Sequence, residues 1–142
     1  MTFDVIPRRG AGVLLFGMTM DEVRAAMALP HDSFYKSAGS ALPTDSFLED
    51  AVHIFYRQPG VCEAIEFYSP SNVSLQKVKL LNEPYNIVKS FLVELDKHLE
   101  EDESGLISKA LGISISAPSH RDIPKIATES VFLFEDGYYD RA

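Results

Sequence analysis

The stretch Gly12-Val13-Leu14-Leu15-Phe16-Gly17-Met18-Thr19-Met20-Asp21-Glu22-Val23-Arg24-Ala25-Ala26-Met27-Ala28-Leu29-Pro30 decides how the rest of the chain is read. A short apolar run stops at Gly17. Thr19 is then placed to accept a hydrogen bond from the backbone N–H of Glu22, while the Glu22 carboxylate reaches back to the amide of Thr19. This capping box predicts a helix from about Met20 to Leu29, brought to an end by Pro30. Val23, Ala26, Met27 and Met20 fall on one face at helical spacing, and Asp21 and Glu22 suit the positive end of the helix dipole. An amphipathic helix of this size needs a sheet to lie on, so the remainder is read for strands.

On the N-terminal side, Phe3, Val5 and Ile6 suggest a short opening strand stopped by Pro7. Gly10, Gly12 and Gly17 invite a phosphate-loop reading, but Leu15 stands where a dinucleotide fingerprint needs its third glycine, and no Gly-Lys-Ser/Thr follows. They are read as backbone punctuation.

On the C-terminal side, residues 31–50 read as irregular, punctuated by Ser37-Ala38-Gly39-Ser40 and Pro43. Phe34 and Tyr35 in this segment either anchor a partner or fold back on the core. Val52–Arg57 and Val61–Tyr68 read as a β-hairpin about a type II turn at Gln58-Pro59-Gly60. Alternation places Val61, Ile65 and Phe67 on one face and Cys62, Glu66 and Tyr68 on the other. Val73–Leu81 supplies a third strand of the same meander.

Asn82 is the expected cap of a second helix running to about Glu100, with Ile87, Val88, Phe91, Leu92, Leu95 and Leu99 as its apolar stripe. The acidic run Glu100-Glu101-Asp102-Glu103 follows, either a solvated loop or an attraction for a basic partner. Leu106–Ser116 reads as one strand by its alternation. Val131-Phe132-Leu133-Phe134 is a continuous apolar run, the pattern of a strand covered on both faces. Helix followed by strands thus occurs twice, over residues 19–81 and 84–135, which suggests two topological repeats. The fold class is α+β: two helices on one face of a mainly antiparallel sheet, in a single domain over residues 1–142.

The totals narrow the function. With 13 Lys+Arg against 21 Asp+Glu the formal net charge is −8, which repels nucleic acid and anionic membranes and favours a basic partner. Only Arg8-Arg9 and Lys77/Lys79 cluster positively. The single cysteine, Cys62, allows no intrachain disulfide and fits a reducing compartment. The start MTFDVIPRRG carries no apolar stretch of signal length, and no run approaches the roughly 20 residues of a membrane span. A cytoplasmic protein is the expectation.

Catalytic signatures are missing. His31, His53, His98 and His120 make no pair at metal-ligand spacing, and neither His-Glu-x-x-His, Cys-x-x-Cys nor Gly-x-Ser-x-Gly occurs. Neither a metal nor a cofactor is expected. Cys62 and His53, across the predicted hairpin, are the pair on which a dispersed active site would be built.

Two segments carry resemblances. The pattern from Gly12 through Gly17-Met18-Thr19, Glu22-Val23 and Leu29-Pro30 resembles the opening of small bacterial domains of the β-lactamase-inhibitor-protein-like type, with Ala28-Leu29 where those domains usually place a glycine before the proline. The resemblance implies a helix packed on an antiparallel sheet in a unit that is often repeated. Leu111-Gly112-Ile113-Ser114-Ile115 with Val131-Phe132-Leu133-Phe134-Glu135-Asp136-Gly137-Tyr138-Tyr139 is similar to the ending of small bacterial proteins found among polymorphic-toxin immunity proteins. Together with the acidic charge, this points to a non-enzymatic protein-binding role: an immunity-type protein that occludes a basic toxin site. The residues expected to touch the partner are Phe34, Tyr35, Glu101, Asp102, Asp136, Tyr138 and Tyr139. Tyr138 and Tyr139 equally suit a cap on the core. The alternatives are a small enzyme with a dispersed site and an oligomeric structural domain.

Overall fold

The computed structural model describes residues 1–140. In chain order the elements are β1 (Thr2–Ile6), β2 (Gly10–Ala11), β3 (Leu14–Leu15), α1 (Met20–Met27), β4 (Asp32–Phe34), β5 (Thr44–Phe47), β6 (Val52–Arg57) and β7 (Val61–Tyr68). There follow β8 (Asn72–Leu75), β9 (Val78–Lys79), α2 (Tyr85–Leu95), β10 (Glu100–Asp102), β11 (Gly105–Ser108), β12 (Ile113–Ser116), β13 (Ser130–Phe134) and a 3-10 turn at Tyr138–Asp140. The class is α+β, with two sheets where the sequence suggests one. The large sheet has the order β10-β11-β12-β13-β7-β6-β5-β4, antiparallel throughout; the small one runs β3-β2-β1-β8-β9 with a parallel β1–β8 pair.

The large sheet is built twice over. Helix α1 precedes the meander β4–β7, and α2 precedes the meander β10–β13; the last strands of the two meanders, β7 and β13, pair with each other. Exchanging the halves maps the strand order onto itself. The repeat suggested by the sequence is therefore present in the topology, over residues 20–68 and 85–134. The strands β8 and β9 are left out of it and join the small sheet.

One face of the large sheet carries the core. Phe47, Ile54, Ile65, Phe67, Ile113, Ile115, Val131 and Leu133 meet Val23 and Met27 of α1, Val88 and Leu92 of α2, and Phe3, Val5, Leu14 and Val73 of the small sheet in one buried cluster. The ring of Phe3 lies 4.9 Å from that of Phe67, which locks the small sheet onto the large one. Each fully buried aromatic or aliphatic side chain here contributes about 1.5–3 kcal/mol.

The opening motif behaves as its residues dictate. Thr19 Oγ1 accepts from the Glu22 amide at 3.2 Å and Glu22 Oε1 accepts from the Thr19 amide at 3.1 Å. The segment before the helix is stitched to the start of β7 by Gly17 N–H to Cys62 O and Cys62 N–H to Met18 O, both 2.8 Å. The helix stops at Met27 rather than Leu29, because Ala28 turns left-handed (φ 53°) and its N–H closes on Arg24 O.

Other boundaries differ for local reasons. Residues 31–50 contain β4 and β5; the letters Thr-Asp-Ser-Phe of β5 hide a strand in which all four residues are buried. Leu106–Ser116 is a hairpin, not one strand. Ala110 and Leu111 continue the alternation through what is a turn, made possible by Gly112 at φ +69°, where a Cβ would meet Phe134 O at 2.6 Å. The turn at Gln58-Pro59-Gly60 is not type II: its proline follows a cis peptide at the third turn position, and Gly60 N–H reaches Arg57 O at 2.7 Å.

Helix α2 begins after Pro84, not at Asn82. Its first amides are capped by the backbone carbonyls of the 124–128 segment, with Tyr85 N–H to Ile126 O at 2.8 Å and Asn86 N–H to Pro124 O at 2.9 Å. It ends at Leu95, and Ile87 and Leu95 of its expected apolar stripe are exposed. The acidic run that follows is neither helix nor loop. Glu100, Glu101 and Asp102 form β10, one edge of the large sheet, as Asp32 and Phe34 help form the other. Carboxylates along an exposed edge discourage the addition of a further strand.

Candidate functional site

Strand alternation leaves the other face of the large sheet outside the core. The register runs unbroken across all eight strands: Glu100 pairs with Ile107, Ile107 with Ser114, Ser114 with Phe132, Phe132 with Glu66, Glu66 with His53, His53 with Ser46, and Ser46 with Asp32. Among the described residues a small buried cluster of Phe55, Ala64 and Phe134 forms on this side, bordered by Ile107, Phe132 and Tyr138. Among the described residues, both helices give their buried side chains to the opposite face.

The open face holds a continuous chain of rings. Phe34 meets His53 edge-on at 5.4 Å, and His53 meets Phe55 at 6.4 Å and Tyr68 at 4.8 Å. Phe55 lies 5.9 Å from Phe132, which contacts Phe134 at 6.1 Å and Tyr138 at 5.6 Å. Tyr139 closes the chain against Phe134 at 4.9 Å. Phe55 and Phe134 are buried beneath their neighbours and Phe34 and Tyr139 are exposed, so the rings present contact area at low cost in side-chain entropy, the composition of interface hot spots.

A polar relay lies within the rings. The Tyr68 hydroxyl is 2.6 Å from Glu66 Oε1 and 2.8 Å from His53 Nδ1. The Glu66 carboxylate can only accept, so Tyr68 donates to it and His53 Nδ1–H donates to the Tyr68 oxygen. This fixes the neutral imidazole with Nε2 as an acceptor. Burial lowers the His53 pKa below the ordinary value, against an opposing pull from the charge of Glu66. Burial and the bond to Glu66 push the Tyr68 phenol well up, so it keeps its proton.

Beyond Phe132 the face becomes a groove of about 280 Å³ whose lining includes Glu100, Asp102, Ile107, Ser114, Ser116 and Tyr139. Asp102 is fixed there by accepting from Ser104 N–H at 2.8 Å, Ser104 Oγ at 2.7 Å and Gly105 N–H at 3.2 Å, bonds that lower its pKa.

The residues named from the sequence divide. Phe34, Tyr138 and Tyr139 lie in the ring chain, with Phe34 and Tyr139 exposed at 40% and 53%. Tyr35 is exposed in the loop after β4. Asp102 borders the groove. Asp136 sits in the turn after β13, 3.3 Å from Arg8. Glu101 points the other way: its pairing partner Leu106 is a core residue, and its carboxylate takes the Tyr85 hydroxyl at 2.6 Å and Lys89 Nζ at 3.0 Å. Its carboxylate is engaged on the α2 side, although the residue also lines the groove between Glu100 and Asp102.

Cys62 and His53 do not meet. A bulge in the β6–β7 pairing beyond Phe55 shifts the alternation, so Cys62 sits in the core with Ile65 and Phe67, not beside Glu66 and Tyr68. Its thiol is fully buried, and burial raises its pKa to about 12. Among the described residues no group of three His, Cys, Asp or Glu side chains gathers as metal ligands, and no helix is long and apolar enough to cross a membrane.

Phe55, Glu66, Tyr68, Phe132 and Phe134 were not singled out by sequence reasoning as contact residues. The signal was there in the parity of β6, β7 and β13, whose second face carries aromatics where a solvent-facing strand ordinarily carries short polar residues. No protein-family model, curated protein or solved structure matches this chain. The open face must be interpreted from its own chemistry.

Proposed function

We propose that this chain is a non-enzymatic binding protein of the cytoplasm, an immunity-type protein whose open sheet face covers the basic site of a toxin domain. The observation that carries the reading is the ring chain from Phe34 to Tyr139 on a face to which neither helix contributes buried side chains. Rigid antiparallel pairing across eight strands holds these rings in place before any partner arrives, which limits the entropy lost on binding. Carboxylates at Asp32, Glu66, Glu100 and Asp102 border them, and the net charge of −8 steers a basic partner to the face.

The enzyme alternative, in its Cys62–His53 form, has no geometric support, since the two side chains occupy opposite faces of the sheet. Stacking two copies face to face would set the acids of one against those of the other, which disfavours the oligomeric reading.

The test uses the chain as bait in lysate of the source cell, in parallel with Phe132→Arg. The expected result is a basic protein retained by the native chain and lost with the variant, and whose toxicity the native chain suppresses on coexpression. Retention of the same protein by Phe132→Arg, or no suppression, would overturn the reading.

A further inference from the structure

At one corner of the open face the protein already holds a cation. Lys36 Nζ stands 4.4 Å from the centroid of the Phe55 ring. The lysine comes from the loop between β4 and β5, where residues 35–39 are all exposed and the loop's own hydrogen bonds are those between Ser37 and Ser40. The ring it covers belongs to the best-built part of the face. Phe55 is 8% exposed, packs on Phe132 and stands edge-on to His53, which is itself flanked by Phe34 and Tyr68.

A cavity of about 250 Å³ adjoins this contact, and Pro43, Thr44, Phe55, Arg57 and Glu63 are among its lining residues. The arginine in that lining is already committed, with its Nε 2.8 Å from Glu135 Oε2. Glu66, next to His53 in the register, adds negative charge, and the neutral His53 offers a lone pair on Nε2. Ring faces, carboxylate and imidazole acceptor all favour a cation with N–H groups to donate.

We infer that the Phe55 corner is a receptor for a lysine or arginine side chain of a protein partner, and that Lys36 is the occupant it displaces. The inference rests on the open face being a binding surface, and it names what that surface takes at this point. An exposed cation–π contact such as the one with Lys36 is weak, whereas the same contact inside an interface that excludes water is several times stronger. An incoming cation therefore gains more from the ring than the resident lysine loses. The loop carrying Lys36 can move aside without breaking any strand pairing, because β4 and β5 are joined through Asp32–Phe34 and Thr44–Ser46 and not through it.

The experiment is a titration of the full chain with a short arginine-only peptide at neutral pH, followed through the ring proton signals of Phe55, His53 and Phe132. The expected result is saturable shifts centred on Phe55 and His53. Lys36→Ala should tighten binding roughly two- to five-fold, the range of an exposed cation–π contact, and Phe55→Leu, which keeps the apolar fill, should weaken it by a similar factor. Lys125→Ala supplies the control, since it makes the same change in net charge in the exposed segment that caps α2, away from the corner.

Equal tightening by Lys36→Ala and Lys125→Ala would reduce the effect to general electrostatics and overturn the inference, as would shifts confined to the Glu100–Asp102 groove. Shifts of the same rings on raising the protein concentration alone would assign the corner to a second copy, and overturn it too. A failed search for a toxin would remove the proposed function but leave the titration result standing; a failed titration would remove the cation receptor and leave the rest of the face open to a partner.

Discussion

Phe132 of β13 and Glu66 of β7 stand directly opposite each other at the seam where the two four-stranded halves of the large sheet join. Exchanging the halves maps the strand order onto itself, and at their seam an aromatic ring stands against a carboxylate. Outward from it the halves have diverged. On one side lie Phe34, His53, Phe55 and Tyr68; on the other, Ile107, Ser114 and Ser116 floor an acid-bordered groove. The first half offers rings, whereas the second adds to Phe132 and Phe134 a groove bordered by Glu100 and Asp102.

Neighbouring residues on β7 and β13 should therefore respond differently to truncation. Phe67 is fully buried against Phe3, and Phe67→Ala should cost about 3–5 kcal/mol in urea unfolding. Phe132 is only partly buried, and Phe132→Ala should cost about 1–2 kcal/mol, the size of a partly exposed deletion. Equal losses would mean that the second face is core as well.

Asp45 supplies the sharpest stability test. Its carboxylate is fully buried on the α1 side and accepts Arg24 Nε and Nη2 at 2.9 Å each, the Tyr56 hydroxyl at 2.7 Å and the Ser33 hydroxyl at 2.7 Å. Burial alone would raise its pKa, but the bonds from Arg24, Tyr56 and Ser33 outweigh burial and bring it below the ordinary value. A depressed carboxylate pKa contributes stability that is complete above the unfolded pKa, near 4, and lost as pH falls through the folded value. Native stability should thus decline below about pH 4 with a component that Asp45→Asn abolishes. At neutral pH that substitution should cost about 2–4 kcal/mol, since Arg24 is partly solvated and recovers some hydration. Unfolding curves between acid and neutral pH would check both.

The Cys62 thiol should be inert in the native protein. It is fully buried and its pKa stands at about 12, so almost no thiolate exists at pH 8. Reaction with a disulfide reagent should be negligible in buffer and complete in denaturing urea. Fast labelling of the folded chain would show that β7 opens locally.

The sequence was most legible where a signal is local. The Thr19–Glu22 box and the strands at Val52–Arg57, Val61–Tyr68 and Val131–Phe134 all follow from neighbours within a few residues, but the last is not covered on both faces as its apolar run suggests, since Phe132 lies on the open face and is only partly buried. What it concealed was set at long range. Thr44-Asp45-Ser46-Phe47 becomes a strand because Arg24, some twenty residues earlier, neutralises the buried Asp45. The bulge that moves Cys62 into the core is a property of two strands together, and the sorting of β8 and β9 into a second sheet depends on β1. For the site, Phe34, Tyr138 and Tyr139 could be named as aromatic residues outside regular helix and strand patterns. Phe55 and Phe132 could not, because a strand aromatic reads as core until it is known which face the helices cover.

His53 gives the last test, and its sign is fixed by opposing causes. Burial lowers its pKa and the Glu66 charge raises it, with burial the larger, so the folded value lies below the unfolded one near 6.5. Above about pH 6.5 the imidazole is neutral in both states and costs nothing. As pH falls from there to the folded pKa, the unfolded chain takes up the proton first, and stability declines; below the folded pKa the loss is complete and constant. Glu66→Gln removes the charge that opposes burial while keeping an acceptor for the Tyr68 hydroxyl, so the His53 midpoint should move further down in that variant. Proton NMR of the His53 ring across acid to neutral pH reads both midpoints directly. An upward shift in Glu66→Gln would mean that Glu66 acts on His53 through burial rather than charge, and would remove the carboxylate from the account of why this corner attracts cations.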